Sequence, residues 1–188
     1  MSRMSSDGVL EMCRRHGATV ERFDNGCAVR FTRRVHDRDT AKSLVRLLPD
    51  IHGLKGLALH GLILEDCDMN HIARCADLRR LGLGDAPHLG VSRREITDGA
   101  MPALARLPGL VALYLGGCSV TDRGIRWCAQ MATLRELYLS DTLVTVNGLR
   151  ALAGIGLHIL DIRGTNTDEK DREELQALLP DAQVVGMS

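Results

Sequence analysis

Aromatic residues are scarce in this chain, which has one Trp, two Tyr and two Phe among its 188 residues. Leu, Ile, Val, Ala and Met must therefore fill any hydrophobic core, because apolar residues as a whole still make up 45% of the sequence. Ligand and substrate pockets usually recruit aromatic side chains. The composition therefore favours a repetitive aliphatic interior over an enzyme pocket.

An excess of charge of either sign is also missing, since 24 basic and 24 acidic residues balance to a net charge of zero. A protein that binds nucleic acid normally carries a basic excess that neutralises phosphates. Arginine pairs do occur, but they are scattered among acids at residues 14–15, 33–34, 79–80 and 93–94. We therefore expect no nucleic-acid partner.

Long hydrophobic runs are absent, because no stretch approaches the roughly 18 residues of a membrane span. The opening residues MSRMSSDG lack the apolar core of a secretory signal. The six cysteines form no C-x-x-C pair, so reduced thiols are expected rather than a disulfide framework. Nucleotide-binding glycine motifs and the H-E-x-x-H zinc motif are missing as well. These absences predict a cytoplasmic, non-enzymatic protein with no cofactor and no membrane association.

A repeat dominates what the sequence does contain. The segment LVALYL at residues 110–115 returns as LRELYL at residues 134–139, 24 residues later. The same L-x-x-L-x-L spacing recurs in LKGLAL at 54–59, LRRLGL at 78–83 and LHILDI at 157–162. Alternation with period two is typical of a strand, and the apolar residues spaced by three that follow suit a short helix. The repeat therefore predicts a solenoid of strand–helix units.

Acidic residues precede three of the predicted helices, at Asp66, Asp98 and Asp122. A short carboxylate in this position can accept hydrogen bonds from the first free backbone N–H groups of a helix. We interpret these acids as N-caps of their own helices, with a structural and not a catalytic role.

The longer pattern L-x-x-L-x-L-x-x-C/T-x-V-T-D-x-G-L, at residues 110–125 and 134–149, resembles the leucine-rich repeats of cysteine-containing, ribonuclease-inhibitor-like proteins. The resemblance covers roughly residues 27–185. It implies a right-handed α/β solenoid with the outline of a horseshoe arc, a parallel sheet on the concave face and short helices on the convex face. Most such proteins bind other proteins, so the resemblance also implies a protein-interaction module.

One leucine-rich-repeat domain over residues 1–188 is expected. The N-terminal segment predicts a helix at residues 8–15 and a β-hairpin that turns at Asn25-Gly26. The predicted segments are an N-terminal cap with the first strand at residues 1–31, the repeats at 32–179, and a C-terminal edge strand with a tail at 180–188.

An interruption of the repeat lies within residues 85–95, where extra residues separate two copies of the motif. Insertions in solenoids map to loops, and loops often carry function. The sequence nevertheless favours a tolerated surface insertion, because lengthening a loop costs little free energy.

The positions between the leucines should face the concave side, because the leucines point into the solenoid. Tyr114 and Tyr138 then occupy one column on neighbouring strands, about 4.8 Å apart along the sheet. Tyr offers broad contact area with a polar tip and is enriched at interfaces. We predict a concave partner-binding surface composed of Tyr114, Tyr138, Glu136, Arg80, Asp161, His60 and Arg163. Alternatively, the two tyrosines pair only to stabilise the sheet.

Two other functions stay open. Cys67, His71 and Cys75 recur every four residues, which on a helix aligns them along one side as part of a metal or redox centre. A structural adaptor that self-associates through a sheet edge near Val184 is the other alternative. The leading prediction is a protein-binding module, present as a monomer or in weak self-association, whose protein partner the sequence does not identify.

Overall fold

The computed structural model describes residues 4–35, 37–84 and 95–186, which form an α/β fold around one eight-stranded sheet. The strands follow one another across the sheet in chain order. The first two strands are antiparallel, and all later neighbours are parallel. The strands are β1 (Ala18–Phe23), β2 (Gly26–Phe31), β3 (Leu54–Ala58), β4 (Arg80–Gly82), β5 (Ala112–Tyr114), β6 (Glu136–Tyr138), β7 (Ile159–Asp161) and β8 (Gln183–Val185).

Each crossover between parallel strands contains a helix, as parallel pairing requires a connection that returns along the sheet. The central helices are single turns that several 3-10 turns extend, whereas the longer helices lie towards the two ends of the chain. The helices are α1 (Ser6–Arg15), α2 (Arg38–Leu47), α3 (Met69–Ile72), α4 (Met101–Leu104), α5 (Asp122–Ile125), α6 (Val146–Leu149) and α7 (Glu169–Leu178).

Leucines of the L-x-x-L-x-L segments fill the core, as the repeat spacing predicts. In the copy at residues 110–115, Leu110, Leu113 and Leu115 are all fully buried. The buried residues of strands and helices form one continuous cluster along the array. Because each repeat buries its apolar face against its neighbours, the array is stabilised as a single body.

The parallel registers align the residues between the leucines into columns across the sheet. Each strand contributes alternate side chains to its two faces, so these columns lie opposite the leucine core. The two columns fixed by strand pairing are Gly56, Arg80, Ala112, Glu136 and Ile159, and Ala58, Gly82, Tyr114, Tyr138 and Asp161.

Three aspartates expected to cap their own helices bind the next repeat instead, so that prediction is wrong. The cap is the residue before the aspartate; at α5 it is Thr121, whose side chain accepts from the N–H of Arg123. As the first helical residue, the aspartate points its two oxygens at a threonine N–H and hydroxyl in the following repeat. We call these contacts the Asp–Thr ladder, and its pairs are Asp66–Thr97, Asp98–Thr121 and Asp122–Thr145.

The two ends of the array are built differently. Helix α1 begins at Ser6, earlier than predicted, because the Ser5 side chain accepts from the N–H of Gly8 and caps it. The apolar side of α1 is buried, and the hairpin of β1 and β2 follows. At the other end, Leu175 of α7 is buried and β8 is the last strand of the sheet.

The interruption within residues 85–95 falls outside the described residues, apart from Glu95, which is exposed. Across the described ranges, no helix combines the length and the apolar character needed to cross a membrane.

Candidate binding surface

The face of the sheet opposite the leucine core, which we call the open face, carries every residue of the predicted binding surface. Arg80, Glu136, Tyr114, Tyr138 and Asp161 stand in the two paired columns, and His60 and Arg163 follow two residues after the second column. Strand alternation therefore brings together residues that are far apart in sequence.

The two tyrosines stack face to face, with ring centroids 4.3 Å apart and ring planes inclined by 10°. Both hydroxyls lie near the Glu136 carboxylate, at 3.4 Å for Tyr114 and 3.5 Å for Tyr138. Arg80 donates to the other carboxylate oxygen of Glu136 at 3.0 Å. The four side chains thus form one network at the centre of the open face.

The Tyr138 hydroxyl is held in its neutral form. Its pKa is raised to about 12, first by partial burial and then by the nearby Tyr114 and Glu136. A phenol with a pKa near its ordinary value of about 10 ionises earlier in the unfolded chain. The raised pKa of Tyr138 therefore makes the folded state less stable as the pH rises from about 10 towards about 12, and stability from this group is complete below about pH 10.

Asp161 belongs to the predicted surface, but it is only 2% exposed. Its carboxylate accepts from Arg163 Nε at 3.0 Å, from Nη2 at 2.6 Å and from the Arg163 backbone N–H. Burial by itself raises the pKa of Asp161, yet the hydrogen bonds from Arg163 outweigh it and lower the pKa below its ordinary value. Asp161 therefore positions Arg163, whose guanidinium remains exposed on the open face.

His60 lies across glycines of the neighbouring strands. Its Nδ1 is 2.9 Å from the carbonyl oxygen of Gly84, so Nδ1 carries the proton that it donates. A Cβ atom at Gly82 would lie 3.1 Å from His60 Nε2, so the glycine lets the ring approach strand β4 closely. The orientation of the His60 ring on the open face is thus fixed by the Gly84 carbonyl and by its close approach to Gly82.

Two depressions flank the tyrosine pair, and Tyr114 lines both. The larger one, which we call the trough, has a volume of about 610 Å³. Its floor consists of Ala28, Gly56, Ala58 and Gly82, and its sides include Phe23, Tyr114, Arg30, Lys55, Arg79 and Arg80. The smaller depression, of about 360 Å³, is lined by residues that include Gly84, Gly116, Tyr138, Ser140 and Arg163.

Phe23, Arg30 and Lys55 line the trough but were not predicted as site residues. They come from the hairpin and from β3, on the N-terminal side of the tyrosines. Phe23 directly precedes the hairpin turn. Because the chain has only five aromatic residues, a Phe at this position was the sequence signal that could have predicted its place in the site.

Cys67, His71 and Cys75 do not make a metal centre. Cys75 is buried in the core, whereas Cys67 is exposed. Burial raises the pKa of Cys75 to about 12, which opposes the thiolate form that metal binding needs. Within residues 4–35, 37–84 and 95–186, no three His, Cys, Asp or Glu side chains are grouped to hold a metal ion.

Cys67 should be the single fast-reacting thiol of the native protein, because the other five cysteines are buried. Burial raises the pKa of Cys13 to about 11 and that of Cys128 to about 12, so neither forms the reactive thiolate readily. Titration with a chromogenic disulfide reagent should count one thiol per native chain and six in denaturant.

Two serine variants provide the control. Cys67→Ser should abolish the fast native reaction, whereas Cys75→Ser should preserve it because Cys75 is buried. Several thiols that react together in the native protein would contradict this assignment.

A parallel sheet of L-x-x-L-x-L strands, each joined to the next through a helix, is the architecture of the leucine-rich-repeat fold. No protein-family model matches the chain, and no curated protein matches its sequence. Among solved structures, it is similar to internalin C2 of Listeria monocytogenes, at 18% identity and a TM-score of 0.55, over 87% of this chain and 80% of that one. A leucine-rich-repeat protein of Leptospira interrogans shares 15% identity at a TM-score of 0.43, over 74% of this chain and 44% of that one. The likeness to the internalin shows the fold alone.

Proposed function

We propose that this chain is a non-enzymatic protein-interaction module whose open face binds a protein partner. In this proposal the array is a right-handed solenoid of the ribonuclease-inhibitor-like kind. The open face is then its concave side, and the helices occupy the convex side. The partner contacts are Tyr114, Tyr138, Glu136, Arg80, His60 and Arg163, with Asp161 holding Arg163 in position.

The observation that carries this proposal is the stacked pair of Tyr114 and Tyr138 on the open face. Two of the five aromatic residues of the chain stand side by side there, half-buried and held by Glu136. Aromatic side chains fixed in this way give a partner broad contact at a small cost in conformational entropy. Truncating an interface hot spot of this type to alanine typically costs about 2 kcal/mol or more of binding free energy.

The charges of the open face suit a protein better than a nucleic acid. Arg80 pairs with Glu136 and Arg163 pairs with Asp161, so each of these two cations beside the tyrosine pair is matched by an anion. A phosphate backbone needs a basic stripe, whereas mixed charges match the polar groups of a protein surface. We further propose a reducing, cytoplasmic setting that suits six free thiols, and a monomer or a weakly associating chain.

Affinity capture from an extract of the native cell tests the proposal. The wild-type chain should retain its partner, and the double variant Tyr114→Ala/Tyr138→Ala should lose it, because both aromatic anchors are removed. Trp127→Ala is the matched control, since it truncates a partly exposed aromatic residue in the helical segment after α5.

Thermal unfolding of the same variants separates binding from stability. The double tyrosine variant should unfold within a few degrees of the wild type, because its core leucines are unchanged. Partner capture that survives the double substitution, or a variant that no longer folds, would show that the tyrosines stabilise the sheet rather than bind.

A further inference from the structure

The floor of the trough has almost no side chains. Ala28, Gly56, Ala58 and Gly82 present only methyl groups and backbone to the open face. The methyl group of Ala28 lies 2.9 Å from the point where a Gly56 Cβ would stand. The floor is therefore closely packed at this point and leaves no room for a side chain on residue 56. A volume of about 610 Å³ falls inside the range of about 300–1,000 Å³ that is typical of ligand pockets.

Aromatic rings stand at both sides of this floor. Phe23 of the hairpin is 52% exposed although it is one of only two Phe residues in the chain. Tyr114 of the stacked pair lines the opposite side. Because β1 and β5 are four strand spacings apart, about 19 Å, a single apolar group would cover the methyl floor rather than both rings. Removing that floor from water favours binding in proportion to the area covered.

Most of the charged side chains that line the trough are cationic. Among the described residues that line it, Arg30, Lys55, Arg79 and Arg80 are cationic, and Glu21 is the one carboxylate. Arg30 is paired with Glu21 inside the trough, whereas Lys55 and Arg80 are paired with Asp77 and Glu136, which do not line it. The side chains that line the trough therefore include more cations than anions, in a chain whose net charge is zero.

From this combination we infer that the trough receives a segment of the partner that carries one large apolar side chain flanked by Asp or Glu. The apolar side chain sits on the methyl floor, which has Phe23 and Tyr114 at its two sides, and the carboxylates meet Lys55, Arg79 and Arg80. This inference rests on the proposed function, because it names the chemistry of a protein partner at the same open face. It adds a contact surface for the partner on the N-terminal side of the tyrosines.

A random peptide library displayed on phage, selected on the full-length chain, tests the inference without knowledge of the partner. We expect the selected peptides to share a large apolar residue with neighbouring acids. Their synthetic versions should bind Ala58→Phe at least about tenfold more weakly than the wild type, because the new ring fills the floor. Ala129→Phe is the matched control, since it adds the same ring at an exposed position in the helical segment after α5.

Charge is tested separately from shape. Peptide analogues with Asn and Gln in place of the acids should lose several-fold in affinity, and added salt should weaken the acidic peptides more than the analogues. Lys55→Met should reproduce the loss, because it removes the charge and keeps the length of the side chain. Phe23→Ser provides a second shape variant at an exposed residue, for use if Ala58→Phe does not fold.

Three results would overturn the inference: no enriched peptides, enriched peptides that are basic, or peptides that bind Ala58→Phe as well as the wild type. Its failure is distinguishable from failure of the proposed function. Partner capture lost in Tyr114→Ala/Tyr138→Ala, without any trough-dependent peptide, would leave the module in place and reject the trough. Capture that survives the tyrosine substitutions would reject the proposed function itself.

Discussion

Replacing Asp98 with alanine should lower the free energy of unfolding by about 3 kcal/mol, the loss expected for two hydrogen bonds to a charged acceptor. In the Asp–Thr ladder, Asp98 accepts from the Thr121 N–H at 2.8 Å and from the Thr121 hydroxyl at 2.6 Å. Alanine leaves both donors without this acceptor at the contact between two repeats. Urea-induced unfolding followed by circular dichroism measures the change.

Asp181→Ala is the matched control for this prediction, because Asp181 is exposed and should cost less than about 0.5 kcal/mol. Thr121→Val removes the hydroxyl both from the ladder and from the cap of α5. A double-mutant cycle with Asp98→Ala then separates the two roles, and we expect clear non-additivity. Equal stability of Asp98→Ala and Asp181→Ala would mean that the ladder does not hold the repeats together.

The fold was predictable because its main determinant is periodic. The recurring L-x-x-L-x-L segments specify which side chains point inward, and Leu110, Leu113 and Leu115 are buried as that pattern requires. Alignment of the L-x-x-L-x-L copies also fixes the parallel register, which sets Tyr114 beside Tyr138. A periodic sequence therefore determines strand direction, facing and neighbours at once.

The Asp–Thr ladder was missed because capping rules consider one helix at a time. Nothing in the residues next to Asp98 shows that its acceptors meet Thr121 in the following repeat. A signal was present, since Thr-Asp recurs at residues 97–98 and 121–122. In such a pair the threonine caps its own helix and also donates to the preceding repeat, while the aspartate reaches the next repeat.

The sequence predicted which residues of the candidate site line up across the sheet, but it did not predict how deeply each is buried or that a trough lies beside them. Periodicity placed Asp161 on the open face, but only the structure shows that Arg163 covers its carboxylate. The trough depends on the hairpin, which brings Phe23 to the same depression as Tyr114 although they are distant in sequence. A non-repeating cap contributes contacts that no repeat pattern specifies.

Replacing Gly148 with alanine should lower the free energy of unfolding by about 3 kcal/mol, although alanine is the better helix former by about 1 kcal/mol. Gly148 lies in α6, and a Cβ there would stand 2.5 Å from Asp122 Oδ1 and 2.7 Å from Asp122 Cα. The carboxylate can rotate away only by breaking the ladder, and the Cα atom belongs to the backbone of α5. The two helices must therefore separate, which opens the core between adjacent repeats.

Gly8→Ala in α1 is the matched control for the same substitution in a helix. A Cβ there would meet only the ends of two side chains, Met4 Cε at 3.3 Å and Ser5 Oγ at 3.4 Å. We expect Gly8→Ala to stabilise the protein by about 0.5–1 kcal/mol, opposite in sign to Gly148→Ala. Adding Asp122→Ala to Gly148→Ala should restore little, because the clash with the Asp122 Cα persists. A Gly148→Ala variant as stable as the wild type in urea unfolding would contradict the prediction. It would show that adjacent repeats can move apart without loss of stability, and that the packing of the leucines rather than the Asp–Thr ladder determines the distance between repeats.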